Sequence, residues 1–366
     1  MKAALLEAQG QPLAIRDDVE VQPPGPGQVR VRVAHCGVCH SDLSLIDGSF
    51  PAPLPIVLGH EASGVVAEVG VGVTGLAVGD HVVLTPCPPC GTCYFCVRDE
   101  ASHCVAAVGI LTNTLPDGTT GLSRGGQVVY RGVNVAAFAE NVVTPATGAV
   151  KIPKDVPLEL AAVIGCAVQT GVGAVLNTAK VEEGASVLVL GLGGVGLSAV
   201  QGARLAGASR IVVSDPVAAR RETARALGAT DLLDPTKEDV HARSLEITGV
   251  GFDYAFETAG KASLIEAGIA CVRTGGTVVC VGAPPIQEMV SFMPAPFVIS
   301  GKRILGTVLG GANSLRDIPR YIALWRAGRL DLEALVTARR PLADINVALD
   351  DLRASRGIRT VLQIAS

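Results

Sequence analysis

The sequence predicts an α/β protein in which a β-rich first part precedes a doubly wound parallel sheet. Two observations predict this class. Up to about residue 150, short apolar runs alternate with Gly and Pro residues, which is typical of antiparallel strands joined by turns. Beyond Pro157, strand-like apolar runs alternate with helix-like segments. This alternation favours a parallel sheet with crossover helices.

Length, composition and charge limit the classes of function. The chain has 366 residues, enough for two or more domains that each bury a core. Its 49% hydrophobic and 17% charged residues are typical of a compact protein rather than a disordered one. The net charge of −4 gives no electrostatic basis for binding nucleic acid or an anionic membrane. We therefore expect neither as a partner.

The N-terminus and one apolar run bear on localisation. Glu7 interrupts the first apolar residues, so the sequence does not predict a signal peptide, and we expect a cytoplasmic protein. The apolar run at 160–176 is shorter than a membrane span usually requires and contains Gly165 and Gln169. We predict a buried helix there. In the cytosol, ten cysteines favour metal sites over disulfides.

Five runs in the first part have the length and apolar content of strands. Glycines between them, such as Gly70 and Gly79, mark turns. The predicted strands cover residues 2–6, 28–34, 62–69, 81–84 and 141–144.

Two short motifs in the first part, CGVCHSD at 36–42 and GHE at 59–61, carry zinc-type ligands. Cys39 and His60 supply a thiolate and an imidazole. The acids that end the motifs, Asp42 and Glu61, could orient that imidazole by hydrogen bonding to it. A catalytic zinc takes three protein ligands, so we expect a third elsewhere, and Cys166 is the candidate. The alternatives are a redox Cys-x-x-Cys pair, or a core thiol and a core histidine.

A second set of cysteines gathers four thiolates in one small lobe, which is typical of a closed structural zinc site. Cys87 precedes this set by three residues, so the spacing leaves open which four of the five cysteines bind. A zinc ribbon that binds nucleic acid is disfavoured because Arg98 is the lobe's one cation. We interpret the Gly-rich and Thr-rich segment 105–133 as a long surface loop. The four cysteines are Cys90, Cys93, Cys96 and Cys104.

The second part opens on a strand-like run at 187–190, a glycine-rich turn and a helix-like stretch at 197–206. In the pattern GxGxxG, Gly191 permits a tight turn, Gly193 lets the backbone approach a pyrophosphate, and Gly196 lets the helix pack against the strand. The helix N-terminus adds the positive end of a dipole. The turn therefore predicts a dinucleotide-binding unit.

Asp215 follows the next strand-like run, 210–213, and lies 19 residues after the last glycine of the turn. A carboxylate there accepts hydrogen bonds from the adenosine ribose and repels a 2′-phosphate, which favours NAD over NADP. Arg220 and Arg221 weaken that preference, unless they lie on a solvated helix face.

The alternation continues to the C-terminus. We expect Cys271 and Cys280 to be core thiols. The predicted elements are a strand at 253–257, a helix from 262, a strand at 277–282, a helix at 318–327 and a final strand at 359–364.

In the order of its motifs, the chain resembles the zinc-dependent medium-chain alcohol dehydrogenases almost from end to end. The resemblance implies a GroES-like catalytic domain at 1–167 and 309–366, and an NAD-binding Rossmann domain at 168–308. The motifs that carry it are Cys39-His40-Ser41-Asp42, Gly59-His60-Glu61, the four-cysteine lobe, Gly165-Cys166 with Thr170-Gly171, Gly191-Leu192-Gly193-Gly194-Val195-Gly196 with Asp215, Val281-Gly282 and Gly357-Ile358-Arg359-Thr360.

The resemblance also implies roles for individual residues. Cys39, His60 and Cys166 would hold a catalytic zinc, and the lobe a structural one, which makes two zinc ions per chain. Asp42 and Glu61 would support the catalytic ligands, and Ser41 would begin a proton relay from the substrate hydroxyl. The expected cofactor contacts are His40 and Arg359 at the pyrophosphate, Thr170 and Val281 beside the nicotinamide, Arg220 at the ribose, and Gly191, Gly193, Gly194, Val195, Gly196 and Asp215.

The expected reaction is reversible hydride transfer from a primary or secondary alcohol to NAD. One alternative is a dehydrogenase of thiol adducts of formaldehyde, and another is a non-catalytic zinc-stabilised NAD(H) sensor. Family members that oxidise thiol adducts carry an arginine and an acid where this chain has Val108 and Phe50, and some members carry a relay histidine where it has Ser44. The long loop after Cys104 resembles that of dimeric members, so we expect a homodimer, with a homotetramer as the alternative.

Overall fold

The computed structural model describes residues 1–365, which fold into two compact units. Unit 1 comprises Met1–Cys166, Asn313–Ala327 and the chain from Leu335 onward, and unit 2 comprises Ala167–Ala312 and Gly328–Ala334. Each unit encloses its own cluster of buried apolar side chains.

Unit 1 is rich in short strands up to residue 152. Its helices here are α1 (His40–Asp47), α2 (Gly109–Thr112) and α3 (Leu158–Ala162), with 3₁₀ turns at Cys96–Arg98, Ala101–His103, Val105–Val108, Gly132–Asn134, Ala146–Gly148 and Val163–Gly165. Its strands are β1 (Ala3–Leu6), β2 (Ala14–Arg16), β3 (Val19–Val21), β4 (Gln28–Gly37), β5 (Ile56–Val57), β6 (Glu61–Val69), β7 (His81–Leu84), β8 (Leu122–Arg124), β9 (Gln127–Val128), β10 (Tyr130–Arg131), β11 (Asn141–Pro145) and β12 (Ala149–Ile152).

Unit 2 alternates strands and helices. Its helices are α4 (Ala167–Gly173), which continues as a π-helical segment at Ala174–Ala179, α5 (Gly194–Leu205), α6 (Ala218–Leu227), α7 (Val240–Thr248), α8 (Ala262–Cys271) and α9 (Pro294–Ser300), with 3₁₀ turns at Leu309–Gly311 and, on the border of the two units, Glu333–Leu335. Its strands are β13 (Ser186–Leu190), β14 (Arg210–Ser214), β15 (Asp231–Leu233), β16 (Phe252–Glu257), β17 (Val272–Cys280) and β18 (Arg303–Gly306).

The C-terminal elements return to unit 1. They are α10 (Ser314–Arg326), β19 (Val336–Pro341), a 3₁₀ turn at Leu342–Asp344, α11 (Ile345–Arg353) and β20 (Arg359–Gln363).

The largest sheet of unit 1 is built around β4. Strands β6, β11 and β20 all pair antiparallel with β4, and the main path runs β12-β7-β6-β4-β20-β19. A four-stranded sheet, β10-β5-β1-β2, and a three-stranded sheet, β3-β8-β9, complete the unit. The predicted β-rich first part is therefore confirmed, and the long strand β4 is its central element.

The sheet of unit 2 confirms the predicted doubly wound parallel fold. Its order is β15-β14-β13-β16-β17-β18, and every pairing in it is parallel. The chain order therefore reverses between β13 and β16. In such sheets, ligands bind at the carboxyl ends of the strands beside this reversal.

The segment at 105–133 corrects one prediction, because the structure folds it instead of leaving it as a surface loop. It contains α2 and three short strands, and it closes around the guanidinium of Arg131, which is fully buried. This group donates hydrogen bonds to the carbonyl oxygens of Thr120, Asn134, Val135 and Val143, at 2.7 to 3.3 Å. One buried side chain thus satisfies carbonyl oxygens from this segment, from the turn that follows it and from β11.

Among residues 1–365, no single helix is both long enough and apolar enough to cross a membrane. Two successive helical stretches, Leu158–Gly165 and Ala167–Ala179, meet the length and composition criteria only when they are taken together.

Replacing Arg131 with Met is expected to destabilise unit 1 strongly. Four carbonyl acceptors lose their donor, and buried unsatisfied groups cost about 1–3 kcal/mol each. We expect the free energy of unfolding in urea to fall by about 3 kcal/mol or more. Burial lowers the pKa of Arg131 to about 10, so its charge is present at neutral pH.

The matched control is Arg124→Met in the same segment. Arg124 pairs with Glu7 and Asp18 at the surface, and such pairs contribute about 1 kcal/mol or less. Equal losses of stability in the two variants would contradict the assigned role of Arg131.

Candidate metal centres and cofactor site

Cys39, His60 and Cys166 form a compact cluster in unit 1. Their ligand atoms all lie within 4.8 Å of one another. The pairing of β4 with β6 brings the first two together, because Gly37 at the end of β4 lies opposite Glu61 at the start of β6. Cys39 follows the one strand and His60 precedes the other.

Cys166 reaches the cluster because the residue before it has no side chain. A Cβ on Gly165 would lie 2.6 Å from the carbonyl oxygen of Leu84 in β7 and 3.6 Å from the backbone nitrogen of Ala62 in β6. The glycine therefore lets the chain pass directly against these two strands. This close approach places Cys166 beside residues that are far from it in sequence.

Asp42 fixes the surroundings of His60. Its carboxylate is fully buried and accepts hydrogen bonds from the backbone N–H of Cys39 at 3.1 Å and of Gly59 at 2.9 Å. One of its oxygens also lies 3.3 Å from Nδ1 of His60. A carboxylate in this position sets the orientation of an imidazole and leaves Nε2 as the nitrogen for a metal.

Glu61 and Arg359 form a buried ion pair next to the cluster. Nε of Arg359 lies 3.0 Å from Oε2 of Glu61, and Nη1 donates to the carbonyl oxygen of Val38 at 2.8 Å. Although burial lowers it, the negative charges of Glu61 and the two cluster thiols raise the pKa of Arg359 above its usual value. The predicted pyrophosphate contact of Arg359 stays a prediction.

The chemistry of the cluster fits zinc. A set of two thiols and one imidazole is the set that catalytic zinc takes in alcohol dehydrogenases, with a fourth position left for water or substrate. Both ring nitrogens of His60 are buried, and among the described residues neither meets strict hydrogen-bond geometry, although Nδ1 lies 3.3 Å from Asp42. The pKa of the Cys39 thiol lies well below its usual value because Cys166 hydrogen-bonds to it and Arg359 lies nearby. A metal ion bound here would satisfy the buried Cys39 thiolate and the buried imidazole of His60.

The four-cysteine lobe has the dimensions of a second metal site. The Sγ atoms of Cys90 and Cys96 lie 4.0 Å apart, and those of Cys93 and Cys104 lie 3.9 Å apart. A tetrahedral zinc with bonds of about 2.3 Å requires sulfur separations of about 3.8 Å. Backbone N–H groups of Cys90 and Cys93 donate to lobe sulfurs at 3.2 and 3.4 Å.

Cys87 stands outside that group of four sulfur atoms. The described cluster contains the other four cysteines. Cys87 is buried, and its backbone N–H donates to Oγ1 of Thr85. Burial raises the pKa of its thiol to about 12, which disfavours the thiolate that a zinc ligand must be.

Ser41 and His40 lie at the start of α1, beside the first cluster. Both are exposed, and Oγ of Ser41 lies 3.9 Å from Sγ of Cys39. The Ser44 hydroxyl donates to the carbonyl oxygen of His40 within the same helix. A hydroxyl and an imidazole near the cluster have the chemistry that proton transfer requires.

The glycine turn of unit 2 has the geometry that its sequence predicts. β13 ends at Leu190, Gly191 adopts a φ of +91°, and α5 begins at Gly194. A Cβ on Gly196 would lie 2.0 Å from the carbonyl oxygen of Gly191, whereas a Cβ on Gly193 meets no described atom within 4 Å. The turn therefore leaves open space over Gly193 at the helix N-terminus, where a phosphate binds.

Asp215 follows β14 and is oriented by the backbone. Its two carboxylate oxygens accept hydrogen bonds from the N–H of Leu192 at 2.7 Å and of Val217 at 2.8 Å. Arg221 donates to the carbonyl oxygen of Asp215 and pairs with Asp234, so it supports this turn instead of lying on a solvated helix face. Sequence reasoning missed this role.

The structure places the remaining predicted cofactor residues in unit 2 as follows. Thr170 is buried in α4, Arg220 is 9% exposed in α6, and Val281 directly follows β17. The N–H of Val281 donates to the carbonyl oxygen of Glu257 at 2.8 Å.

The sequence does not single out Glu257 as a residue of the cofactor site. An acid at the end of an apolar strand is the signal that could have identified it.

Comparison with known proteins identifies the family. Residues 25–154 match the alcohol dehydrogenase GroES-like domain, and residues 194–325 match the zinc-binding dehydrogenase domain. The chain is 38% identical to S-(hydroxymethyl)glutathione dehydrogenase from Synechocystis sp., over 99% of both chains. The chain belongs to the zinc-dependent medium-chain alcohol dehydrogenases.

Solved structures of this dehydrogenase family share the whole fold. An alcohol dehydrogenase zinc-binding domain protein from Burkholderia ambifaria is 36% identical with a TM-score of 0.94, and it covers 100% of this chain and 99% of its own. Benzyl alcohol dehydrogenase from Acinetobacter calcoaceticus is 33% identical with a TM-score of 0.93 and the same coverage. As a member of this family, the chain is a zinc-dependent oxidoreductase.

Metal analysis of single variants tests the two clusters separately. Cys39→Ala and Cys93→Ala are each expected to lower the zinc content from two ions to one per chain, because each removes a ligand from a different cluster. Cys39→Ala should lower turnover on the order of a thousandfold at nearly unchanged stability. Cys93→Ala should lower the melting temperature.

Cys87→Ala is the matched control and is expected to retain both ions. Loss of zinc from this variant, or an unchanged zinc content in Cys39→Ala, would contradict the assignment of the clusters.

Proposed function

We propose that the protein catalyses reversible hydride transfer between a primary or secondary alcohol and NAD, giving an aldehyde or ketone. The observation that carries this proposal is the cluster of Cys39, His60 and Cys166, which offers three ligands of the catalytic zinc type within 4.8 Å. Zinc held there would supply a Lewis acid that lowers the pKa of a bound hydroxyl towards neutrality.

Residues around the cluster are proposed to transfer the substrate proton and to orient and stabilise the zinc ligands. Ser41 is proposed to accept the proton from the substrate hydroxyl, since its exposed Oγ lies 3.9 Å from Sγ of Cys39. Some family members carry a relay histidine where this chain has Ser44, so the last proton step is proposed to run through the cofactor ribose, water or His40. Asp42 lies against His60 and orients it, and the guanidinium of Arg359, which pairs with Glu61, lies close enough to Cys39 to favour its thiolate.

The proposed cofactor is NAD rather than NADP. The Asp215 carboxylate is fixed by two backbone N–H groups, which leaves lone pairs for ribose hydroxyls and a negative charge against a 2′-phosphate. From the sequence, Arg221 is expected to weaken the preference for NAD. In the structure its guanidinium forms an ion pair with Asp234. Gly193, Gly194, Val195 and the N-terminus of α5 would bind the pyrophosphate.

A second candidate substrate class is the thiol adduct of formaldehyde. The relative from Synechocystis sp. carries the name of such an enzyme and aligns along 99% of this chain. Against it, this chain has Val108 and Phe50 at the positions where an arginine and an acid are expected for a thiol-adduct substrate. We therefore favour a simple alcohol.

A substrate panel tests both candidates in one assay. NADH formation is measured with simple aliphatic and aromatic alcohols, and with formaldehyde in the presence and absence of glutathione. We expect turnover of an alcohol with NAD, little with NADP, and little dependence on the thiol. Activity that requires formaldehyde and glutathione together would instead support the second candidate. Inactivity of the zinc-loaded protein on every substrate would contradict the proposed function.

We further propose that the chain forms a homo-oligomer through one face of unit 2. Helix α9 has no buried residue within the described chain, although it contains Val298 and Ile299, which are 75% and 84% exposed. Met289 nearby is 82% exposed, and β18 is an edge strand of the sheet. Exposed apolar patches beside an open sheet edge are typical of subunit interfaces.

Light scattering with size-exclusion chromatography tests this interface. The parent is expected to elute as a dimer or larger, and the double variant Val298→Asp with Ile299→Asp as a monomer, because a buried charge opposes association. Val71→Asp in unit 1, at a residue 82% exposed, is the control and should remain associated. A monomeric parent would contradict the proposal.

A further inference from the structure

Glu257 connects two loops of unit 2 at the carboxyl edge of the sheet. It is the last residue of β16, is fully buried, and lies in register with Leu190 of β13 and Cys280 of β17. Its Oε1 accepts hydrogen bonds from the backbone N–H of the next loop, at Ala259 and Gly260, both at 2.8 Å. A charged or amide oxygen is needed to satisfy these donors.

The backbone oxygen of the same residue holds the loop after β17. It accepts hydrogen bonds from the N–H of Val281 at 2.8 Å and of Gly282 at 2.9 Å. The two loops also touch, because a Cβ on Gly282 would lie 2.1 Å from the backbone nitrogen of Gly260. The position of Val281 is therefore set by Glu257 and by the loop that the Glu257 side chain folds.

The adjacent Thr258 ties this assembly to the glycine turn. Its Oγ1 lies 2.8 Å from the carbonyl oxygen of Gly191 and 3.1 Å from that of Leu190. A Cβ on Gly196 would lie 2.8 Å from the same hydroxyl, and one on Gly191 would lie 3.0 Å from Cβ of Ala259. Three loops from β13, β16 and β17 thus interlock with little free space.

We propose that Glu257 is a positioning residue for the cofactor, which fixes the loop carrying Val281 at a set distance from the glycine turn. This inference rests on the proposed function, in which the glycine turn binds the pyrophosphate and Val281 flanks the nicotinamide. The pyrophosphate end of the dinucleotide would bind the glycine turn, and its nicotinamide end would bind the loop of Val281. The distance between these two loops therefore determines whether both ends can bind at once. A change at Glu257 therefore affects the nicotinamide end and spares the adenosine diphosphate end.

Two ligands separate positioning from general stabilisation. NADH requires both loops, whereas ADP-ribose lacks the nicotinamide and requires only the glycine turn and Asp215. Dissociation constants for both are measured by fluorescence or calorimetric titration on the zinc-loaded full chain. Glu257→Leu removes, at similar side-chain volume, the acceptor for the backbone N–H groups of Ala259, Gly260 and Lys261. Glu257→Gln keeps an oxygen in place and is the matched control.

For Glu257→Leu, we expect the dissociation constant for NADH to rise about tenfold or more, with that for ADP-ribose unchanged within about threefold. Glu257→Gln should bind both ligands like the parent. Equal weakening of NADH and ADP-ribose in Glu257→Leu, or parent-like NADH binding, would overturn the positioning role.

Glu257→Asp covers the case in which Glu257→Leu fails to fold. The shorter side chain keeps the charge but withdraws the acceptor from the loop, and selective weakening of NADH is again expected. Parent-like NADH binding, or equal weakening of both ligands, would overturn the proposal. A parent that binds neither NADH nor ADP-ribose would instead contradict the proposed function, so the two failures are distinguishable.

Discussion

The antiparallel pairing of β4 with β6 is the constraint on which the metal chemistry of this protein depends. It sets Gly37 opposite Glu61, and so brings the residues just beyond each strand, Cys39 and His60, to one point. Strand β20 pairs with the other side of β4 and starts at Arg359, which reaches Glu61. Two thiolates side by side in this buried site would need a bound metal ion to offset their charge, because Glu61 already pairs with the arginine.

Features encoded within a few residues could be predicted from the sequence. The glycine turn, the four-cysteine lobe and most strands depend on local spacing and periodicity, and the structure has them near the expected positions. Features that depend on distant residues could not. The sequence predicts a loop around Arg131, because a buried arginine is rare and its four acceptors do not form a sequence pattern. The exclusion of Cys87 and the connections made by Glu257 and Arg221 likewise depend on tertiary contacts.

The two units carry different parts of the proposed chemistry. Unit 1 contains both clusters of metal-type ligands, and unit 2 contains the glycine turn with Asp215. In each site, buried carboxylates fix neighbouring groups, as Asp42 does for His60 and Glu257 for the loop at Ala259 and Gly260. The proposed choice of substrate class rests on less, namely on the expected roles of positions 50 and 108, where this chain has Phe50 and Val108.

The central claim is that three side chains from separate parts of the sequence bind one zinc ion and leave it open to substrate. Anomalous diffraction at the zinc edge from crystals of the full chain measures this directly. We expect one peak among Cys39, His60 and Cys166 with a fourth position free of protein ligands, and a second peak enclosed by the four lobe cysteines. A first peak enclosed by four protein ligands, or its absence from that cluster, would show that the zinc cannot bind substrate as proposed.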